Sequence, residues 1–180
     1  MPTIYLSPST QEFNPYYDGN GNEEYYMNLI ADAMIPYLDA TGINYVRNTP
    51  QMTAASSIRQ SNEGQYDLHL ALHSNAAPEN LSGMLQGIDV YYYPTSTRGK
   101  DAAEIIANNL SMIYLDPADI QAVPTTSIGE VSRTRAPAVL VEMGYHDNPE
   151  DAEWIRGNIN DIAKNLVLSL ADYFEIPFMQ

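Results

Sequence analysis

A chain of 180 residues, 44% of them hydrophobic, is long enough for one domain with a core, and no apolar run approaches the ~20 residues a membrane span needs. Its net charge of −15, with only eight scattered Lys and Arg, excludes the phosphate neutralisation that nucleic-acid binding relies on and argues against an anionic membrane as partner. There is no cysteine, which excludes disulfides, thiolate metal sites and a cysteine nucleophile and leaves any metal to His, Asp and Glu.

Thr3 to Leu6 reads as a short strand, stopped by Ser7-Pro8-Ser9. The start of the chain has no basic region or long apolar stretch, so no signal peptide is expected. That leaves a protein that stays in the cytoplasm, one that leaves by a route not encoded here, or a domain of a longer chain. Residues 10–22 are polar and turn-rich, and a loop of that length is more often functional than not. A helix follows from about Glu23, with Met27, Ile30, Ala31, Met34 and Leu38 as its apolar stripe, a kink expected at Pro36 and an end at Thr41-Gly42.

Ile43 to Arg47 reads as a second strand, and Thr49 to about Gly64 as a weaker helix. Asp67 to His73 alternates: Leu68, Leu70 and Leu72 fall on one side, and Asp67, His69, Ala71 and His73 on the other, as in a strand. A loop over 76–86 leads to a strand at Ile88–Tyr93, then a helix from Gly99 to Leu115. Pro117 to Thr126 reads as irregular, and Gly129 to Arg133 as a short strand. Ala138 to Met143 is a strand with a four-residue apolar core, expected to be central and buried on both faces. Asn148-Pro149 opens a short helix to about Arg156, and Ile159 to Phe174 is the last helix. Strands and helices alternate along one domain, residues 1–180. The expected fold is α/β: a twisted, mostly parallel sheet of about six strands with helices on both faces.

In such sheets ligands sit beyond the C-terminal strand ends. Three polar positions fall there: the loop after the first strand leading to Glu23-Glu24, His73, and Glu142. A carboxylate buried in a strand is costly without a partner. Glu142 is therefore either ion-paired, with Arg133 or Arg135 at hand, or a general base facing a metal. No G-x-S-x-G elbow, glycine-rich phosphate loop or H-E-x-x-H helix is present, so a metal-assisted hydrolase fits best.

Several blocks carry a family resemblance. Ile4-Tyr5-Leu6-Ser7-Pro8 looks like a first strand and its exit, and Gly21-Asn22-Glu23-Glu24 looks like a G-x-x-E helix start. Asp67 through Ala76 looks like a strand ending in His-x-Asn, and Gly87 through Tyr93 like its glycine-led neighbour. Pro137-Ala138-Val139-Leu140-Val141-Glu142-Met143-Gly144-Tyr145, with Asn148 after it, completes the set. In that order these resemble the zinc-dependent N-acetylmuramoyl-L-alanine amidases, the cell-wall hydrolases found as autolysins and phage endolysins. The resemblance implies a peptidoglycan hydrolase that cuts the amide between the lactyl group of N-acetylmuramic acid and L-alanine. It implies zinc (Zn2+) held by His, Glu and His, with Glu142 as general base, and carries two of those ligand positions onto Glu24 and His73. It also implies action on the cell wall, after release or as part of a secreted protein.

The family's first histidine has no counterpart, since the region reads Ser7-Pro8-Ser9-Thr10-Gln11-Glu12-Phe13-Asn14. Glu12 and His146 are the residues left to supply the third ligand. His69 lies roughly 13 Å back along the strand from His73 and is expected to be structural. The alternative reading is a non-catalytic domain that has lost zinc and binds muropeptide or a protein partner.

Overall fold

The alternating leucines of residues 68–72 sort the molecule into two unequal faces. The computed structural model describes residues 1–180 and holds six strands: β1 (Thr3–Pro8), β2 (Asn44–Arg47), β3 (Leu68–Asn75), β4 (Ile88–Tyr92), β5 (Ile120–Pro124) and β6 (Ala138–Tyr145). Their order in the sheet is β2-β1-β3-β6-β4-β5, and every pairing is parallel except β4 with β6. The helices are α1 (Glu23–Thr41), α2 (Ala54–Glu63), α3 (Thr97–Leu110), the single turn α4 (Gly129–Ser132), α5 (Pro149–Gly157) and α6 (Ile159–Tyr173). None is long and apolar enough to cross a membrane.

On one face Ile4, Leu6, Leu70, Leu72, Val90, Val139 and Val141 join the stripes of α1, α3 and α6 in a core of 32 buried residues. On the other face the apolar cluster is just Ala71, Val131 and Leu140. Burying apolar area stabilises at roughly 25 cal/mol per Å², so the first face carries the fold. The second face, under α2 and α4, is free to hold polar side chains, and Tyr5, Ser7, His69, His73 and Glu142 all fall there by strand alternation.

Several local readings are corrected. The segment expected to be irregular contains β5, a parallel edge strand paired to β4; its bounding Pro117 and Pro124 read as breakers, yet proline is tolerated at an edge. The short strand expected at Gly129–Arg133 is α4, a turn too short to show a helical period. The helix expected from Thr49 begins at Ala54, because Thr53 caps it and exchanges hydrogen bonds with Ser56 in a capping box. The third helix ends at Leu110 rather than Leu115. β3 and β6 each run two residues further than expected. The first helix, α1, contains Pro36 and ends at Thr41 before Gly42, as expected.

Two glycines shape the ends of the strands and helices that meet at the second face. Gly21 has φ +82°, and a Cβ there would lie 2.6 Å from the Tyr26 ring. It lets the chain fold back just before Asn22, whose side chain caps α1. Gly144, at φ +113°, sits beside the shift in register between β3 and β6, where the Asp151 carboxylate accepts the N–H of Tyr145.

Candidate active site

The loop from Asn14 to Asn22 delivers the first carboxylate. It closes on itself through a bridge between Pro15 and Asn22, and the Glu23 N–H donates to the Asn14 carbonyl at 3.0 Å. Arg156, on α5, clamps it from outside: both guanidinium ends donate to Asp18, at 2.7 and 2.9 Å, and the guanidinium lies 5.2, 5.7 and 5.3 Å from the Tyr16, Tyr17 and Tyr26 rings. Bidentate geometry and ring stacking make this a stiff anchor. Three of the chain's fourteen tyrosines are used in this one anchor.

So fixed, Glu23 points inward. It is 1% exposed, and its Oε1 accepts from Nδ1 of His73 at 2.8 Å, while Asn14 donates to its Oε2 at 2.7 Å. The structure therefore brings Glu23, not Glu24, to His73. Glu24 is one residue on, about 100° around the helix, and lines a separate hollow with Glu12.

His73 meets a second carboxylate at its other nitrogen, Nε2, which lies 2.9 Å from Oε2 of Glu130. Glu130 comes from α4, is 5% exposed, and also accepts from the Ser7 hydroxyl and from Nε2 of His69 at 3.1 Å. His69 is completed by the Ser61 hydroxyl at 2.9 Å and by Tyr5 stacked on it. Its role is to hold Glu130 from below. Ionised carboxylates only accept, so His73 with one on each nitrogen is a doubly protonated imidazolium. Burial opposes that charge, but the bonds to Glu130 and Glu23 outweigh it and hold the His73 pKa well above 6.5. Conversely, burial would push Glu23 and Glu130 up, but their bonds to His73, and for Glu130 also to His69, hold both below 4.5.

Glu142 stands beside this array, at the position on β6 paired with His73 on β3. On its other side it is paired with Asp89 of β4. Neither Arg133 nor Arg135 is bonded to it: Arg135 donates to the Asn62 carbonyl instead. The Glu142 Oε2 is sealed from solvent and has no hydrogen-bond partner. Burial raises its pKa from 4.5 to about 7; the charges of Glu23 and Asp89 push the same way, and that of His73 pulls it down. A carboxyl near neutrality can both take and return a proton at ordinary pH.

The donor set for a metal is incomplete. Glu23 and His73 are the kinds of ligand zinc takes, but catalytic zinc keeps three protein ligands, and no three His, Asp or Glu side chains are grouped to hold an ion. Glu12 is exposed and lies off the site. His146 is buried, with Nδ1 on the Ser74 hydroxyl at 3.0 Å and the Ser74 carbonyl at 3.1 Å, and it stacks on Tyr16. The amide of Gln11 also approaches the pair, its Nε2 lying 3.3 Å from His73 Nδ1. Both atoms are donors, so this is a contact and not a bond. The residues present do not fit a three-ligand zinc centre.

Fold and site together define an α/β protein with a polar centre at the C-terminal ends of parallel strands, where such sheets take ligands. The family model for N-acetylmuramoyl-L-alanine amidase matches residues 13–172, and the chain belongs to that family. Solved structures share the fold at low identity. N-acetylmuramoyl-L-alanine amidase AmiC2 of Nostoc punctiforme superposes with a TM-score of 0.81 at 17% identity over 97% of both chains. The catalytic domain of CwlV, an N-acetylmuramoyl-L-alanine amidase from Bacillus (Paenibacillus) polymyxa var. colistinus, gives 0.83 at 14% over 98% of this chain and 100% of that one. The catalytic domain of the CD27L endolysin targeting Clostridia difficile gives 0.74 at 21% over 96% and 98%. No curated protein matches the sequence.

Proposed function

We propose that this chain is a peptidoglycan hydrolase acting on the amide between the lactyl group of N-acetylmuramic acid and L-alanine, with Glu142 as the proton-transferring group. The observation that carries the reading is the half-buried carboxyl of Glu142, its Oε2 without a hydrogen-bond partner, set on β6 beside His73 of β3 in a chain of this family, where burial raises its pKa to about 7. Glu142 takes a proton from the attacking water as its oxygen bonds to the lactyl carbonyl carbon. It returns that proton to the alanine nitrogen as the C–N bond breaks; the second proton of the water, left on the new carboxyl, passes to the amine, so that the products part as a lactyl carboxylate and an ammonium group. The imidazolium of His73 supplies the positive charge near which a tetrahedral oxyanion is least costly. Glu23 and Glu130 keep His73 charged and oriented. With two donors in place of three, no step is routed through zinc.

A second reading rests on a different observation. Both nitrogens of His73 are held by carboxylates, and the Gln11 amide lies against Nδ1. This favours a domain that binds muropeptide without cutting it.

The two readings part in one experiment. N-acetylmuramoyl-L-alanyl-D-isoglutamine is incubated with wild type and with Glu142→Gln, with and without added zinc. Release of the free dipeptide is followed by mass spectrometry and binding by calorimetry. Release by wild type and none by Glu142→Gln supports the hydrolase. Binding with no release, zinc supplied or not, overturns it in favour of the second reading.

A further inference from the structure

At the opposite end of β6 from Glu142, a cavity of about 430 Å³ opens where the end of β4, the start of α3 and the segment after α4 meet. Ala138, the first residue of β6, lines it, about 13 Å along the strand from Glu142. Its lining runs against the composition of the chain. Of the 23 acidic residues none borders it, whereas two of the eight basic ones, Arg98 and Arg135, do. Neither has a carboxylate partner. Arg47, Lys100 and Arg156 are paired to acids. The Arg98 guanidinium instead donates to the Asp67 carbonyl at 3.1 Å, and that of Arg135 to the Asn62 carbonyl at 3.2 Å. The Asp67 carboxylate is engaged elsewhere, accepting the Thr3 N–H at 2.8 Å.

A neutral carbonyl orients a guanidinium without cancelling its charge. The remaining N–H donors of the fork stay available on a cation already held in place. Asn62 stiffens the Arg135 end further: its side chain accepts the Arg135 N–H at 2.8 Å and donates to the Arg133 carbonyl at 2.8 Å. The hydroxyls of Thr95, Ser96, Thr97 and Ser132 line the same cavity. Ser96 already accepts the Gly99 N–H as the cap of α3, and it keeps its own O–H to donate. Two cations among several O–H donors suit a compact anion with more oxygens than a carboxylate has, which is a phosphate. The volume exceeds one phosphate group and leaves room for the alcohol of an ester. Two cations neutralise a single phosphate, not the succession of phosphates along a nucleic acid. Nor does the net charge of −15 oppose this, because salt at 0.15 M screens beyond about 8 Å and the adjacent cations outweigh distant acids.

We infer that this cavity is a binding site for a phosphomonoester, separate from the His73 centre, in which Arg98 and Arg135 hold the phosphate and the neighbouring hydroxyls complete its shell. It rests on neither reading of the His73 centre, since its ligand sits at the far end of β6 and leaves Glu142 uncovered.

The test is a titration of the whole chain, labelled with 15N, by two-dimensional NMR at pH 8 and 0.15 M NaCl. Inorganic phosphate, glycerol 3-phosphate and acetate are the separate probes. Both phosphate probes should give saturable shifts at millimolar concentration in the amides of residues 95–98 and 132–136, and those of His73 and Glu142 should not move. Glycerol 3-phosphate should bind at least as tightly as inorganic phosphate, and acetate about fivefold more weakly or worse. Arg98→Gln and Arg135→Gln should each weaken phosphate about fivefold, the worth of one exposed ionic contact, and together abolish it. Arg59→Gln removes an exposed arginine that does not line the cavity and should change nothing. Arg98 and Arg135 are exposed, so the fold should survive, which thermal melting checks. The double lysine variant keeps both charges and should bind phosphate more tightly than the double glutamine variant. No saturable shift with either phosphate probe, exclusion of the ester, acetate bound as tightly as phosphate, or shifts unchanged by either single variant overturn the site.

Discussion

Replacing Glu142 by Gln should change how stability depends on pH more than stability itself. In the native state the Glu142 pKa is about 7 against an ordinary 4.5. The folded protein thus holds this proton more tightly than the unfolded chain. Its contribution is full below pH 4.5, fades from there to pH 7 and is gone above. The gap corresponds to on the order of 3 kcal/mol. Glutamine cannot titrate, so the variant lacks this term. Its amide N–H, facing the sealed space of Oε2, adds a pH-independent cost of about 1–3 kcal/mol. Relative to wild type the variant should therefore be less stable at pH 4.5 and gain roughly 3 kcal/mol by pH 8, a relative rise in Tm of roughly 6–12 °C for a chain of this size. Urea unfolding followed by circular dichroism at half-unit pH steps gives the difference directly. A difference constant within about 0.5 kcal/mol over that range would refute the claim that Glu142 is buried at an energetic cost in its charged form.

If Glu142 is the base, kcat/KM should rise about tenfold per pH unit from pH 5 to 6, bend near 7 and level above, since the base must be deprotonated; a flat profile would assign the proton transfer elsewhere. Glu23→Ala leaves one face of a buried imidazolium unpaired and should cost roughly 3–5 kcal/mol in urea unfolding, whereas Glu24→Ala should stay within about 0.5 kcal/mol. Glu130→Gln should weaken acid sensitivity. Glu130 is depressed in the fold, so its stabilisation is present above pH 4.5 and lost as pH falls through its folded value. The variant's stability should accordingly fall less between pH 5 and 3 than that of wild type. Gln11→His should complete a donor set with Glu23 and His73. Metal analysis after dialysis against zinc should find about one equivalent on the variant and less than about a tenth on wild type; equal content on both would show that two donors suffice.

The fold was legible because its main signal is the strong one. Leucines alternating at 68, 70 and 72, and the stripe from Met27 to Leu38, are set by the large core, where burial overrides everything else. What escaped was short or at an edge. β5 has one neighbour and a proline at its end, and α4 is one turn long, so neither shows a period. Glu130 was missed with α4, since nothing local marks a single glutamate in a four-residue turn as the acceptor for three other side chains. Glu23 was partly within reach. It lies four residues before Met27, about 40° from the centre of the buried stripe, while Glu24 lies about 60° off on the other flank. Helical phase thus favours Glu23 only slightly, and the packing of the loop before α1 makes the choice. His73 and Glu142 were both placed correctly at the sheet end, and their adjacency follows from the pairing of β3 with β6, a non-local fact no single stretch encodes.

The two contacts of His73 do different physical work. A carboxylate on the outer nitrogen of a histidine is the usual way to orient a metal ligand and raise its basicity, and Glu130 on Nε2 is such a partner. Nδ1 is where the pattern departs. The proton it shares with Glu23 fills the gap between the two donors. An incoming cation must expel that proton, and the two carboxylates that hold it make the exchange harder. A third donor would tilt the exchange towards the metal, and Gln11 offers an N–H in that direction instead. The centre is therefore one whose positive charge is a proton. With Asp89, Glu142 and Glu23 around that single charge, Glu142 is the acid left without a partner, and burial first, then the charges of Glu23 and Asp89, raise its pKa towards neutrality.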